Sequence, residues 1–498
     1  MKNSISLAAL ALLFFGCKQT EMADIPKTQD TTQTVHPTVP AITVAKGTYY
    51  LDALKGDNKG NGSQAHPFKT LDRVMDTLQS GDVVLLNNGN YGNIVAGRTP
   101  GVNFGFSQSE ITIPKSKFTS WVTIKAAPGQ TPHINRLDLG TLNIPNSGSP
   151  AQTIPFSQKG NSDLYMRFEG LTIDDGVVIF GSRYVDVKNC IINRIGELNG
   201  SVNNMDNKYG VEVRNGRYIT IEGNEITHVA IGVGGASYDF VIKNNHIHHN
   251  SHDGIRVYGG ENWLIEGNRI HDLDDGINDI DNAFDAGANA SWNRHVDGIQ
   301  IFELYGPTNQ LVVRGNLFYH LESMGVMVNE GTVHYSDWLF EDNIFGPVGG
   351  VVFLLGADIY NSMIFRQNTI VYAPNDVWKS MYGRTMNGQV YSLNLWDVAA
   401  VNGGYQFYNN ILTKVSPIPT VYAVASNNLF CDNTTGYPYE SIPGNIQDYI
   451  DKGKLPGALK SGSLAINAGT AKYYTGGAVV DFNGKQRDNK PDIGAFEN

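Results

Sequence analysis

The chain has 498 residues, 55 of them Gly, with 17% charged residues and a formal net charge of −11. That charge excludes the basic face a nucleic-acid binder needs, and the composition suits neither a coiled coil nor a disordered chain. A chain this long usually divides into several domains, but repeat architectures grow by stacking units and escape that rule.

Lys2 supplies a positive start, and residues 5–15 form an apolar run too short to span a bilayer. The run ends in Leu13-Phe14-Phe15-Gly16-Cys17, which resembles the lipobox of bacterial lipoproteins, with Phe14 in place of the usual Leu. The resemblance implies cleavage before Cys17 and acylation of Cys17. It also implies a lipid anchor in the bacterial outer membrane, facing the periplasm or the cell surface, as the only membrane contact. Residues 1–17 are then the signal. Residues 18–46, rich in Thr, Gln and Pro without an apolar period, are a flexible tether. Residues 47–498 are expected to be one folded unit and a monomer. Cys190 and Cys431 are too few and too far apart for a disulfide framework, so packing must supply the stability.

Past the tether, Pro67 is placed to start a helix whose Phe68, Leu71, Val74, Met75 and Leu78 share one apolar face. It is expected to cap the open end of a solenoid core. Downstream, a short apolar strand followed by Asn, one residue and an apolar residue recurs as VDVKNCI, ITIEGNEI, FVIKNNHI, WLIEGNRI, LVVRGNLF, WLFEDNIF, MIFRQNTI, YQFYNNIL and AVASNNLF. The Asn residues are Asn189, Asn224, Asn245, Asn268, Asn316, Asn343, Asn368, Asn410 and Asn428, at intervals of 35, 21, 23, 48, 27, 25, 42 and 18. A base period of 21–27 with longer excursions marks a solenoid with loops inserted on some rungs. Strands this short must pair with the rungs above and below. An Asn at the same bend of each rung can bond its neighbours' amides and tolerates a left-handed backbone. On these repeats the chain resembles the pectate-lyase-like right-handed β-helix superfamily. The resemblance implies an all-β fold, a single right-handed parallel β-helix. Near the C-terminus, AINAGT and DFNGKQRDNKPDIGAFE resemble the closing segments of bacterial surface β-helix proteins.

A second strand, with Gly before Ile or Val, aligns four rungs as KYGVEV, HDGIRV, HVDGIQIF and MGVMV. Alternation points Ile255, Val257, Ile299 and Ile301 inward and leaves an outward column of Glu212, Arg256, Gln300 and Met327. The residue before the Gly forms another column, in which Asp253 and Asp297 are neighbours about one strand spacing, roughly 4.8 Å, apart. Two carboxylates that close disfavour joint ionisation, whereas Asp before Gly is also an ordinary bend residue. His252 and His295 stand beside the pair. Between these rungs an inserted loop carries Asp274, Asp275 and Asp279 among other acids, a possible Ca²⁺ site through oxygen ligands, though without EF-hand spacing. Trp263, Trp292, Phe302, Tyr305, Tyr319, Tyr335 and Trp338 fall near the same rungs, and Tyr258 and Phe302 are the candidates to stack on a sugar.

The resemblance implies polysaccharide chemistry. In a lyase, Ca²⁺ or Arg256 neutralises a uronate carboxylate, and His252 or His295 takes the C5 proton. Gln300, Glu212, Tyr258 and Phe302 then bind the substrate. In a glycoside hydrolase, Asp253 and Asp297 are acid and nucleophile, and close spacing implies retention. A non-catalytic glycan-binding surface protein is the third alternative. Its rungs would be monotonous, whereas here the reactive residues concentrate over 250–305. The lyase is preferred, acting on an acidic polysaccharide.

Overall fold

The computed structural model describes residues 47–498, except 76, 99–109, 115–116, 141–161, 194–208, 274–295, 303–305, 329–335, 356–362, 374–375, 377, 380–384, 387–390, 396–404, 414–422, 432–434 and 475–479. The expected signal and tether, Cys17 included, lie outside the described residues, as do His295, Asp274, Asp275, Asp279, Trp292, Tyr305 and Tyr335.

Strands stack in parallel into a right-handed β-helix, with one sheet of 21 strands and a second of 11 among the described residues, and Trp378–Lys379 and Thr385–Met386 form a separate antiparallel pair. Three straight segments make a turn of the helix. In one turn they are the two halves of the strand Tyr209–Glu222, bent where the register shifts between Arg214 and Gly216, and the short strand Glu225–Thr227. Each segment pairs with the equivalent segment one turn on: Ile219 with Phe240, Phe240 with Trp263, Trp263 with Leu311. Alternation then puts one apolar column after another inside, and a single core cluster runs from Leu51 to Leu412. Like residues stack in it, as in Phe340, Phe365 and Phe407, whose rings lie 4.8 Å apart and 8° from parallel at each step. Trp263 and Trp338 belong to this core, and their ring N–H groups donate to the Ser237 and Thr308 carbonyls at 3.0 and 2.8 Å. They are therefore removed from the aromatic residues available to a sugar.

The Asn column forms as the repeat predicts, with one shift of register. Asn224, Asn245, Asn268, Asn316, Asn343, Asn368, Asn410 and Asn428 are buried and joined side chain to side chain at 2.8–3.0 Å. Asn189 is not in this column. Lys188 pairs with Glu222 and Ile191 with Glu225, so Cys190 takes the ladder position. Asn189 occupies the preceding position with φ 52°, in line with Gly223, Asn244, Gly267, Gly315, Asp342, Gln367, Asn409 and Asn427, all at positive φ. The bend is thus divided between two residues, one supplying the left-handed backbone and the next supplying the amide.

The helix expected from Pro67 is shorter and starts later: it spans Leu71–Met75 only, and Phe68 is instead bridged to Leu51, while Leu71, Val74 and Met75 join the core with Phe68 and Leu78. The C-terminal residues differ from an end cap. Tyr439, Ile442, Ile446, Tyr449, Ala465, Ile493 and Phe496 pack sideways against the outer side of the second sheet, on Leu317, Tyr319, Ile344, Val371, Ile411 and Leu429. Outward apolar residues on these rungs require a cover, and the C-terminal segment provides it. Tyr319 is consequently buried rather than offered to a ligand.

Candidate functional site

The strand Ile255–Glu266 pairs with Ile299–Ile301, aligning Ile255 with Ile299, Arg256 with Gln300 and Val257 with Ile301. Gln300 in turn aligns with Met327. The outward column therefore exists, but Glu212 stands two rungs from Arg256, with Gly234 between them. The intervening rung, Ile231-Gly232-Val233, carries the same Gly-before-Val signal but adds no side chain to the column, because its outward residue, Gly234, is itself Gly. Glu212 pairs instead with Arg214 on its own strand.

Asp253 and Asp297 occupy consecutive rungs as expected, and both are 0% exposed. They do not project from a bend into a cleft. Asp253 Oδ1 accepts the Asp297 backbone N–H at 2.9 Å, and Asp297 Oδ1 accepts the Met324 N–H at 3.0 Å. Each carboxylate thus bonds the rung that follows. Asp253 Oδ2 accepts Arg256 Nε, and Arg256 Nη2 lies 2.9 Å from the His252 ring nitrogens. Burial pushes the Asp253 carboxyl upward, but Arg256 and His252 outweigh it and hold the group below its ordinary range. Among the described residues no ion pair is made by Asp297. Burial, then the Asp253 charge, push its carboxyl well above the ordinary range, against the opposing pull of the Met324 N–H, Arg256 and Ser323. Burial works against the Arg256 charge, and Asp253 more than restores it.

Around Arg256 the structure gathers His252, Tyr258 and Phe302. The His252 side chain is 16% exposed. Tyr258 and Phe302 rings stack 5.9 Å apart, and the Arg256 guanidinium lies 5.8 Å from the Phe302 centroid. Tyr258 is buried, and its hydroxyl lies 2.5 Å from that of Tyr209, a residue the sequence aligned with Asp253 without assigning it a part. Burial, reinforced by Tyr258, drives the Tyr209 phenol far above its ordinary range, so it stays protonated. Gln300 is buried with its Nε2 on Met327 Sδ at 3.5 Å. The site thus brings together a held cation, a partly exposed imidazole and two hydrogen-bonded phenols, with Phe302 against the guanidinium and Tyr258.

The Asp253 carboxylate is engaged within the protein by Arg256 and the Asp297 N–H, and the acidic residues expected to hold Ca²⁺, Asp274, Asp275 and Asp279, lie outside the described residues. Among the described residues no three His, Cys, Asp or Glu side chains are grouped to hold a metal ion.

A family model described as a right handed beta helix region matches residues 175–370, the stretch that carries this site. No curated protein matches the chain. Among solved structures the chain is similar to pectate lyase Pel9A, at 16% identity over 92% of this chain and 97% of that one, with a TM-score of 0.41. It is similar to the GH136 lacto-N-biosidase from Eubacterium ramulus at 14% identity, over 77% and 68% of the two chains, with a TM-score of 0.45. It is also similar to PfbA, a surface adhesin of Streptococcus pneumoniae, at 12% identity over 83% and 96%, with a TM-score of 0.39. These likenesses concern the fold, and one fold hosts many activities.

Proposed function

We propose that this right-handed β-helix protein is a carbohydrate-active enzyme that cleaves an acidic polysaccharide by β-elimination. The observation that carries the reading is the Arg256 guanidinium, held by buried Asp253 and flanked by the partly exposed imidazole of His252. A guanidinium pairs with a carboxylate, here through the N–H groups that Asp253 and His252 do not occupy, which suits the uronate group whose neutralisation makes the C5 proton removable. An imidazole is suited to accept that proton near neutral pH. Phe302, the partly exposed ring of the pair, forms the wall against which a sugar ring packs, with buried Tyr258 stacked on it and Gln300 extending the Arg256 column. Asp253 acts here as a positioning residue, fixing the direction of the guanidinium, and Asp297 belongs to the same rung-to-rung chain.

The hydrolase alternative needs two carboxylates in contact with the glycosidic bond. Full burial of Asp253 and Asp297, each bonded to the next rung's backbone, weighs against it. Incubation of the purified protein with a panel of uronate-containing and neutral glycans separates the readings. Elimination produces ultraviolet absorbance of unsaturated uronates together with new reducing ends, and this is the expected result. Reducing ends without absorbance mean hydrolysis, and neither signal means binding or no glycan activity. With an active substrate in hand, His252→Ala should abolish turnover. Arg256→Lys should raise KM more than it lowers kcat, because a point charge replaces a planar fork.

A further inference from the structure

A second group of reactive side chains lies on the outer side of the other sheet. The strands Glu225–Thr227, His246–His248 and Arg269–Leu273 align Thr227, His248 and His271 in one outward column, and Glu225, His246 and Arg269 in the next. The left-handed turn position after each strand holds His228 and His249 on the first two of these rungs, and Asp272 falls at the equivalent place on the third. Imidazoles are therefore set on adjacent rungs by the register itself. The C-terminal segment reaches the edge of this group, with Asp451 3.7 Å from Arg269, and its apolar contacts on this sheet begin one rung on, at Leu317.

Two of the imidazoles face each other closely, with His246 Nε2 2.6 Å from His271 Nε2. His271 is oriented from behind. Its Nδ1 lies 2.7 Å from Asp272 Oδ2, and its ring stacks on Tyr319 with centroids 4.6 Å apart and planes 6° from parallel. A carboxylate only accepts, so the His271 proton sits on Nδ1 and the Nε2 lone pair points at His246. Asp272 is itself fixed by His320 Nδ1 at 2.7 Å, and His320 by Asp376 at 2.9 Å. A carboxylate on the far nitrogen of an imidazole is the support found behind metal-binding histidines.

We propose that His246 and His271 chelate a borderline divalent metal ion, of the zinc or copper kind, on this face. The described residues hold no ready cluster of three ligands, so the site is a two-imidazole chelate with solvent in the remaining positions. Two nitrogens bound tetrahedrally to zinc at about 2.0–2.1 Å are roughly 3.3 Å apart. The pair must open by about 0.7 Å from its 2.6 Å separation, a movement that falls to the half-buried His246, whose ring proton shifts to Nδ1 on binding, because His271 is buried and fixed. Imidazole pairs suit copper and zinc and leave calcium and magnesium unbound.

The full-length protein, dialysed against micromolar ZnCl₂ and then against metal-free buffer, should retain one zinc per chain by elemental mass spectrometry. His246→Gln and His271→Gln should each remove it, with circular dichroism verifying the fold. Asp272→Asn should weaken binding by roughly 10–100-fold, and His66→Gln, at an exposed turn, should leave it unchanged. Cu²⁺ added to the wild-type protein should show coupling to two nitrogens by electron paramagnetic resonance, a reading independent of any variant. Wild-type protein that keeps no zinc, a His246→Gln/His271→Gln double variant that keeps the wild-type amount, or a copper spectrum without nitrogen coupling would overturn the proposal.

Discussion

Replacing Asn316 with Ala tests the ladder at its middle. The Asn316 side chain is wholly buried and makes four hydrogen bonds. Its Nδ2 donates to the Ile265 carbonyl at 2.9 Å and to Asn343 Oδ1 at 3.0 Å. Its Oδ1 accepts the Asn268 backbone N–H at 2.9 Å and Asn268 Nδ2 at 3.0 Å. Alanine leaves the Asn268 N–H without this acceptor, in a place water does not reach, at a cost of about 1–3 kcal/mol. The remaining lost bonds add about 0.5–1.5 kcal/mol each, partly offset by relaxation. The expected loss is therefore roughly 2–5 kcal/mol. Urea unfolding followed by far-ultraviolet circular dichroism should show a lower midpoint with an unchanged slope. Asn316→Asp keeps the acceptor, removes both donors and sets a buried charge against Asn343 Oδ1, so it should cost at least as much. A loss below about 0.5 kcal/mol for Asn316→Ala would refute the ladder as a source of stability.

Cys190 fills the ladder position only weakly, with Sγ 3.5 Å from the Leu171 nitrogen and 3.8 Å from the Phe168 carbonyl. Cys190→Asn should convert both contacts into ordinary hydrogen bonds and stabilise by about 1–2 kcal/mol, visible as a higher urea midpoint. Arg487 bonds Asp342 at 2.7 Å and Glu497 at 3.2 Å from a buried position. Arg487→Met should therefore cost about 3–5 kcal/mol and make the C-terminal segment the first to be cut in limited proteolysis. Burial lowers the His320 pKa, but Asp272 and Asp376 outweigh it and raise the group to about 9. Its stabilisation is complete below the unfolded value, about 6.5, and is lost as pH rises through about 9. Melting temperature should fall over that window, and His320→Gln should flatten the fall. Cys17→Ser should release the protein from membranes into the soluble fraction without a change in melting temperature; equal membrane retention would exclude lipidation at that residue.

Periodicity carried the solenoid. A strand of three to five residues that alternates faces and recurs every twenty-odd positions has few ways to bury its apolar side except by stacking on its own copies. The Asn after each strand and the pairing of Arg256 with Gln300 follow from that repeat alone. A one-residue slip cannot be seen when the repeat carries two adjacent Asn-like positions. At Asn189-Cys190 the pairing of Lys188 with Glu222 decided that the Cys, not the Asn, enters the ladder. The Gly234 rung likewise leaves no mark on the outward column, since Gly has no side chain to offer.

Tertiary structure alone decided what the aspartates do. Sequence placed Asp253 and Asp297 on neighbouring rungs, but their carboxylates turn along the solenoid axis onto backbone N–H groups, a direction that periodicity does not encode. The histidine group was dispersed over 228–271 in the sequence, on a strand whose register with its neighbours only the stacked structure sets. The C-terminal segment gave no repeat to follow and was expected at the end of the helix. It lies instead along the side, because Leu317, Ile344, Ile411 and Leu429 point outward there, and apolar surface on a sheet's outer face must be covered by some other part of the chain.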